Sequence, residues 1–180
     1  MRKFIDEFII FKLFNCFLAT ICSSAARGNV LTLTGNDPSS WTQYRYNFTA
    51  VSSSHIVMFG FKNENNREYY FDSASVTLVN ASNIQLLTNP SFESSISSPT
   101  GWVVWCSSTC SGYVGAIASG TNCYLGSGNC FKVPCYASSG IEFLGQSIAT
   151  TVGLVYTVSF RLILGGNGNT GANGFYFDFV

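Results

Sequence analysis

The stretch Glu68–Glu93, "EYYFDSASVTLVNASNIQLLTNPSFE", decides the fold that the sequence predicts. Its two ends, "EYYFDSASVTLVN" and "IQLLTNPSFE", are rich in the β-branched and aromatic residues that are typical of strands. The intervening "NASN" (80–83) contains residues that favour turns. We therefore expect a hairpin that joins the two halves of the chain.

A period of two residues recurs on both sides of this hairpin, and no convincing amphipathic helix lies between the strand-like runs. These runs, separated by turn residues, cover 29–35, 41–51, 55–63, 141–150, 155–164 and 174–180. Residues 94–139 have the composition of a loop. Eight or nine strands of this kind predict an all-β fold, a two-sheet antiparallel β-sandwich of the jelly-roll type.

The charge balance argues against a nucleic-acid partner. Only 10% of the 180 residues are charged, with nine basic and nine acidic side chains, so the net charge is zero. Binding to phosphates requires a basic patch. The sequence also predicts no enzyme, because its single histidine, His55, lies in an apolar strand and no Gly-x-Ser-x-Gly motif occurs.

Residues 1–26 resemble a secretory signal peptide. Arg2 and Lys3 form a positive start, 8–21 an apolar run, and "SSAA" (23–26) a small-residue cleavage site. An uncleaved anchor is the alternative, but the run is shorter than the roughly 20 residues that span a bilayer. We expect a secreted protein, without membrane contact after cleavage, and one domain over 28–180.

Two sequons fit an extracellular location. Asn47-Phe48-Thr49 and Asn80-Ala81-Ser82 both match the acceptor pattern for N-linked glycans. We therefore expect glycosylation at Asn47 and Asn80.

Five cysteines follow the leader, all within residues 106–135: Cys106, Cys110, Cys123, Cys130 and Cys135. In a secreted chain this clustering predicts local disulfides, and the spacing fits no zinc site. Candidate pairs are Cys106 with Cys110, and Cys123 with Cys130 or Cys135, but the sequence leaves the connectivity open. Because five is odd, one thiol should stay free or form a disulfide with another chain.

Four short motifs recur in a family-like pattern: "LLTNPSFE…GW", "WTQYRYNFTA", "HIVMFGFKN" and "REYYFDSASVTLVN". They resemble carbohydrate-binding modules of the galactose-binding-like jelly-roll group, the CenC type. The first is similar to the N-terminal edge of such modules, in which Asn-x-x-Phe-Glu precedes a loop and a Gly-Trp. "WTQYRYNFTA", "HIVMFGFKN" and "REYYFDSASVTLVN" are similar to their C-terminal edge. Thus 28–80 resembles the C-terminal half and 84–180 the N-terminal half, in permuted order. The chain is either a fragment of tandem repeats or one permuted sandwich, and we expect the sandwich.

The resemblance implies a structural Ca²⁺ between the first and last strands of the module. Its ligands would fall on Glu93, on Asp72 and on a backbone carbonyl near Asn89, which are the oxygen ligands that Ca²⁺ takes. Ser73 stands where the family often has a second acid, so one ligand charge is lost. Carboxylates that cap turns at strand ends are the alternative.

Sugar recognition combines an aromatic platform with a few polar groups that bind hydroxyls. Loops on a rigid scaffold often carry such residues, and the cysteine-rich region is aromatic. We expect ligand contacts from Trp105, Tyr113, Tyr124, Gln146 and Asn63. For Trp105, packing against a disulfide is the alternative.

Together these features predict a secreted, non-catalytic carbohydrate-binding module whose partner is a glycan or polysaccharide. A structural or adhesive extracellular repeat without a sugar site is the alternative. The odd cysteine and the repeat-like order of the motifs favour that alternative.

Overall fold

A computed structural model describes residues 22–25, 27–136, 140–169 and 171–180. Most of the predicted leader, residues 1–21 and 26, lies outside the described residues. Within the described ranges no helix is long and apolar enough to cross a membrane.

Two antiparallel β-sheets pack face to face, which confirms the predicted all-β sandwich. The described strands, in chain order, are β1 (Leu31–Thr34), β2 (Thr42–Thr49), β3 (Ser54–Lys62), β4 (Arg67–Leu78), β5 (Ala81–Gln85), β6 (Val103–Trp105), β7 (Ala116–Ser119), β8 (Asn129–Val133), β9 (Glu142–Ala149), β10 (Val155–Gly166) and β11 (Gly174–Phe179). The five-stranded sheet has the order β1-β11-β3-β9-β6. The six-stranded sheet has the order β2-β10-β4-β8-β7, with β5 paired to β4.

The predicted hairpin between the two halves of the chain is confirmed. β4 pairs with β5, with Thr77 opposite Gln85 and Leu78 opposite Ala81. Beyond β5, the Leu86 N–H donates to the Val76 carbonyl at 2.9 Å. The paired part of β5 is shorter than the predicted strand, which ran on to Glu93.

β4 contains a bulge where it faces β10. The pairing changes from Ser159 opposite Ser75 to Arg161 opposite Asp72, so β4 has one extra residue. Ser73 has a φ of 50° at this point. The Ala74 N–H leaves the ladder and donates to the Pro90 carbonyl at 3.0 Å. The bulge thereby attaches the segment after β5 to the six-stranded sheet.

Aromatic side chains from both sheets form the core. Along β2, half-buried and exposed positions alternate, as expected for a strand with one face toward the core. Phe59 lies fully buried at the centre, and its ring centroid is 4.5 Å from that of Phe71 and 5.1 Å from those of Phe160 and Phe177. Burying one such side chain stabilises the fold by about 1.5–3 kcal/mol.

The segment "NPSFE…GW" closes one side of this core. Phe92 and Trp102 are buried with ring centroids 5.5 Å apart and nearly parallel. The Trp102 Nε1–H donates to the Asn89 carbonyl at 3.0 Å, which satisfies the buried indole. Trp102 is therefore a core residue.

The expectation of a loop over 94–139 was partly wrong. This region contains the short strands β6, β7 and β8, together with three 3-10 helices (Ser107–Cys110, Gly120–Asn122 and Tyr124–Gly126). β8 pairs with both β4 and β7 and is buried at four of its five positions. Strands of three to five residues are too short for a period of two to be visible in the sequence.

Three disulfides join the six cysteines of the described residues: Cys22–Cys106, Cys110–Cys135 and Cys123–Cys130. The candidate pair Cys106–Cys110 does not form, because the two side chains lie on opposite sides of the five-stranded sheet. Cys110 is in the central core, whereas Cys106 packs with Met58 and Phe143 on the outer face. Of the two options for Cys123, the pairing with Cys130 is confirmed.

Because Cys22 takes part in a disulfide, the described cysteines are even in number, and the expectation of one unpaired thiol loses its basis. Cys22 lies within the segment assigned to the leader, yet it forms a disulfide with Cys106. The three disulfides fit the oxidising environment of an extracellular protein. The intermolecular disulfide was inferred from an unpaired cysteine, and the described part of the chain contains none.

The N-terminal strap (22–25 and 27–29) lies across the outer face of the five-stranded sheet. The Arg27 guanidinium lies 5.3 Å from the centroid of the Phe143 ring. The buried Asp178 carboxylate accepts the Gly28 and Asn29 N–H groups at 2.8 and 2.6 Å. Together with Cys22–Cys106, these contacts make the strap an integral part of the domain.

Replacing both cysteines of one disulfide with serine should lower the free energy of unfolding, and the loss should be larger for the disulfide that closes the longer loop. The sequence separations are 7, 25 and 84 residues, for which chain entropy gives losses of about 2.5, 3.5 and 4.5 kcal/mol. Urea unfolding of the three double variants measures this order. A larger loss for Cys123/Cys130 than for Cys22/Cys106 would contradict it.

Candidate functional site

The five residues predicted to contact a sugar do not form one site. Asn63 and Gln146 are buried and hydrogen-bonded to the backbone. Asn63 Nδ2 donates to the Val133 carbonyl at 2.9 Å. Gln146 accepts the Thr88 N–H at 2.6 Å and donates to the Thr88 and Gly101 carbonyls at 3.0 and 2.8 Å. Both amides therefore fix neighbouring segments.

Trp105 packs on the outer face of the five-stranded sheet, beside the N-terminal strap. Its ring stacks on that of Phe143 with a centroid distance of 5.3 Å. Cys22, Cys106 and Met58 belong to the same cluster. This packing beside a disulfide matches the alternative considered for Trp105 from the sequence.

Tyr113 is exposed and contacts Tyr136, which forms an isolated β-bridge with the buried Asn63. Its ring centroid is 4.2 Å from that of Tyr136. The pair lies next to the Cys110–Cys135 disulfide, because each tyrosine follows one of these cysteines closely. Tyr113 and Tyr136 thus form a small aromatic surface of their own.

Tyr124 lies over the outer face of the six-stranded sheet. It belongs to the loop 123–130, which the Cys123–Cys130 disulfide closes. The disulfide packs against Tyr70, Ile163 and Trp41 on that face. The sheet and the disulfide together fix where Tyr124 stands.

The Tyr124 ring contacts two neighbouring side chains, Arg161 and Trp41. The Arg161 guanidinium lies 3.9 Å from the ring centroid, a cation–π contact. The Trp41 ring meets Tyr124 edge-on, with centroids 5.8 Å apart. Arg161 Nη2 also donates to Gln43 Oε1 at 3.4 Å.

The register of the sheet adds one more polar residue to this group. β2 and β10 pair with Gln43 opposite Arg161 and Arg45 opposite Ser159, and Gln43 and Arg45 are exposed. Side chains two residues apart on a strand share a face. We name this group the outer-face cluster; its members are Trp41, Gln43, Arg45, Tyr124 and Arg161.

The two residues predicted to bind Ca²⁺ receive N–H groups from the two ends of the loop 123–130. Asp72 Oδ2 accepts the Tyr124 N–H at 3.2 Å, and Glu93 Oε1 accepts the Asn129 N–H at 2.8 Å. Burial raises the pKa of Asp72, hydrogen bonds from Ser73 and Tyr124 lower it, and the charge of Glu93 adds to the rise. The two carboxylates are thus close enough to interact.

These residues fit a calcium ion in part. Two neighbouring carboxylates are suitable ligands, and Glu93 Oε2 has no hydrogen bond within the described residues. The Asn89 carbonyl, however, accepts the Trp102 indole N–H and the Phe92 N–H. Among the described residues no three His, Cys, Asp or Glu side chains form a metal-binding group. The chain supplies two of the three ligands that the resemblance implies.

The two predicted glycosylation sites are exposed. Asn47 lies on β2 on the same face as the outer-face cluster, and its Oδ1 accepts the Thr157 hydroxyl at 2.7 Å. Asn80 lies in the turn between β4 and β5. Exposure is required for modification, but glycosylation of either residue stays a prediction.

No protein-family model, curated protein or solved structure matches this chain. The outer-face cluster offers aromatic surface, amide groups and guanidinium donors on a rigid sheet. Such groups bind hydroxyls and anions.

Trp41, Gln43, Arg45 and Arg161 were not among the predicted contacts. The sequence contained part of the signal, since Gln43 and Arg45 alternate with the tyrosines of "WTQYRYNF". Alternation places them on the solvent face of a strand. It does not indicate that Tyr124, about 80 positions further along, lies on the same face.

Glu142 is a fully buried carboxylate that fixes the segment before β7. Its oxygens accept the Ser107 hydroxyl and the Gly115 N–H, both at 2.6 Å. Burial raises the pKa of Glu142, and these two hydrogen bonds partly counteract the rise. Within the described ranges no cation pairs with it.

Glu142→Gln should keep the bond from the Gly115 N–H to its amide oxygen and reverse the Ser107 bond, with the amide NH2 donating to the hydroxyl oxygen. The change also removes the cost of burying a charge. Because the folded-state pKa is raised above the unfolded value of about 4.3, the native protein should lose stability as the pH rises above that value. The variant lacks this titration, so its free energy of unfolding relative to the native protein should increase from pH 4 to pH 7. Urea unfolding at both pH values measures the difference.

Glu142→Ala is the matched control. It leaves the Gly115 N–H and the Ser107 hydroxyl without their acceptor, so it should be less stable than Glu142→Gln by about 2 kcal/mol at both pH values. A stability difference between Glu142→Gln and the native protein that does not change with pH would contradict the burial argument.

Proposed function

We propose that this chain is a non-catalytic carbohydrate-binding module of an extracellular protein, and that the sugar binds at the outer-face cluster. One observation carries the proposal. Aromatic side chains and several hydrogen-bond donors lie together on one sheet face, beside a loop closed by a disulfide.

The composition of the cluster suits a saccharide. The Trp41 ring, half-buried at the start of β2, offers an apolar surface against which a sugar ring can pack. Gln43 and Arg45 are exposed and offer amide and guanidinium groups for hydroxyls. The backbone beneath them is a paired sheet, so little ordering entropy is lost on binding.

The arrangement of the carboxylates supports a role without catalysis. Asp72, Glu142 and Asp178 each accept backbone N–H groups and hold loops in place. His55 Nε2 accepts the Val51 and Ser52 N–H groups at 3.2 and 3.3 Å, so it stabilises a turn. A general acid or base needs access to a substrate.

A structural or adhesive domain is the second candidate, and one observation favours it. Val51, Val152 and Leu154 are exposed in two adjacent loops at one end of the sandwich. The Ala50 N–H and the Leu154 carbonyl join these loops at 2.9 Å. An apolar end of this kind suits contact with another protein.

Binding to an array of polysaccharides tests the two candidates. If a sugar binds at the outer-face cluster, Gln43→Ala and Trp41→Ala should each weaken the binding about tenfold, since each removes a hydrogen bond or a packing surface. Tyr113→Ala is the control, because it removes an exposed aromatic residue elsewhere. Folded protein that is retained on no glycan would overturn the proposal and favour the adhesive role.

We also propose that Ca²⁺ binds between Asp72 and Glu93 and stabilises the loop 123–130. At a concentration 100 times the Kd, Ca²⁺ should stabilise the fold by about 2.7 kcal/mol, or several degrees in Tm. Thermal unfolding in CaCl2 and in EDTA measures this effect. Glu93→Gln should abolish it, whereas Asp37→Asn, at an exposed carboxylate elsewhere, should not. An identical Tm in CaCl2 and EDTA would contradict the proposal.

A further inference from the structure

The outer-face cluster contains two arginines that have no carboxylate partner in the described part of the chain. The basic residues in the described ranges of the whole chain are Arg27, Arg45, Lys62, Arg67, Lys132 and Arg161. One ion pair joins Lys132 to Glu68 at 3.4 Å, and it is the only one among the described residues.

Two other arginines are held by contacts of a different kind. Arg67 is buried and donates to the Gly166 carbonyl at 2.5 Å. Arg27 lies over the Phe143 ring. The other three unpaired cations, Arg45, Lys62 and Arg161, have no carboxylate partner within these residues either, and two of the three lie on one face.

Arg161 is held in position before any ligand arrives. The Tyr124 ring covers one side of its guanidinium, at 3.9 Å from the ring centroid. Gln43 Oε1 accepts from Nη2 at 3.4 Å. A guanidinium has five N–H donors, so most of them stay available for an anion. This pre-arrangement reduces the entropy lost on binding.

Arg45 can reach the same anionic group as Arg161. Arg161 faces Gln43 across the ladder, and Arg45 is two residues further along β2. Such diagonal neighbours are about 7 Å apart on one sheet face. Two long side chains at this spacing can converge on one carboxylate or sulfate.

No described side chain forms an ion pair with Arg45 or Arg161. The adjoining outward positions on β2, β10 and β4 are Asn47, Thr157, Ser159, Ser75 and Thr77. Asp72 lies directly opposite Arg161 in the β4–β10 ladder, but its two oxygens accept the Ser73 and Tyr124 N–H groups. Among the described residues, Asp72 therefore holds loop backbone and forms no ion pair with either arginine.

We infer that the outer-face cluster binds an anionic saccharide, one that carries a carboxylate or a sulfate group recognised by Arg45 and Arg161. The inference rests on the proposed function and names the class of sugar for the same site. Neutral hydroxyls of the ligand are bound by Gln43 and the surrounding hydroxyl groups.

The test compares polymers that differ only in charge. Polygalacturonate and its methyl-esterified form test a carboxylate, and heparin and its desulfated form test a sulfate. The full chain should bind at least one charged polymer about tenfold more tightly than its neutral counterpart, and the difference should shrink at high salt.

Arg45→Gln and Arg161→Gln should each weaken binding to that charged polymer about tenfold, and by a clearly larger factor than they weaken binding to its neutral form. Lys62→Gln is the matched control, because it removes an unpaired cation from the other sheet and should have no effect. Loss of Arg161 could displace the Tyr124 ring, which its guanidinium contacts. Arg45 is exposed, so Arg45→Gln tests the charge without that structural effect.

The outcomes separate this inference from the proposed function. Equal binding to charged and neutral polymers, still weakened by Gln43→Ala, would overturn the inference and leave the carbohydrate-binding role intact. A loss of binding with Lys62→Gln equal to that with the arginine variants would also overturn it. If the folded protein binds no glycan, both proposals fail.

Discussion

The bulge in β4 at Ser73 and Ala74 is the constraint on which the candidate site depends. Without the extra residue, the ladder with β10 would continue unbroken past Ser75. The Ala74 N–H would then not reach the Pro90 carbonyl. The bulge turns β4 so that Asp72 meets the start of the loop 123–130, while the attached segment brings Glu93 to its end. One irregular residue thus positions two parts of the chain that are distant in sequence.

Long, regular strands were predictable because their signal is local. β2, β3, β4, β9, β10 and β11 alternate or form apolar runs of eight residues or so, and turn residues flank them. The β4–β5 hairpin was predictable for the same reason, since its turn follows directly from the sequence. β6 to β8 were missed because three to five residues carry no recognisable period, and β8 is stabilised by its neighbours on both sides.

The site was less predictable because it depends on contacts between distant residues. Only Tyr124 of the predicted sugar contacts belongs to the outer-face cluster. Asn63 and Gln146 have side-chain amides of the kind that bind ligands. In this fold those amides are hydrogen-bonded to backbone carbonyl and N–H groups instead. Polar residue type alone does not distinguish an amide that fixes a loop from one that meets a ligand. The Cys22–Cys106 pair was missed because Cys22 was assigned to the leader.

The disulfide between Cys22 and Cys106 has a consequence for how the protein matures. The small-residue sequence at 23–26, where cleavage was expected, lies on the C-terminal side of Cys22. A cut there before oxidation would leave Cys106 with a free thiol and remove part of the strap from the Phe143 face. A cut there after oxidation would leave the excised piece attached through sulfur. If the chain is cut at this sequence, the chemical state of the finished domain depends on whether the cut precedes or follows thiol oxidation.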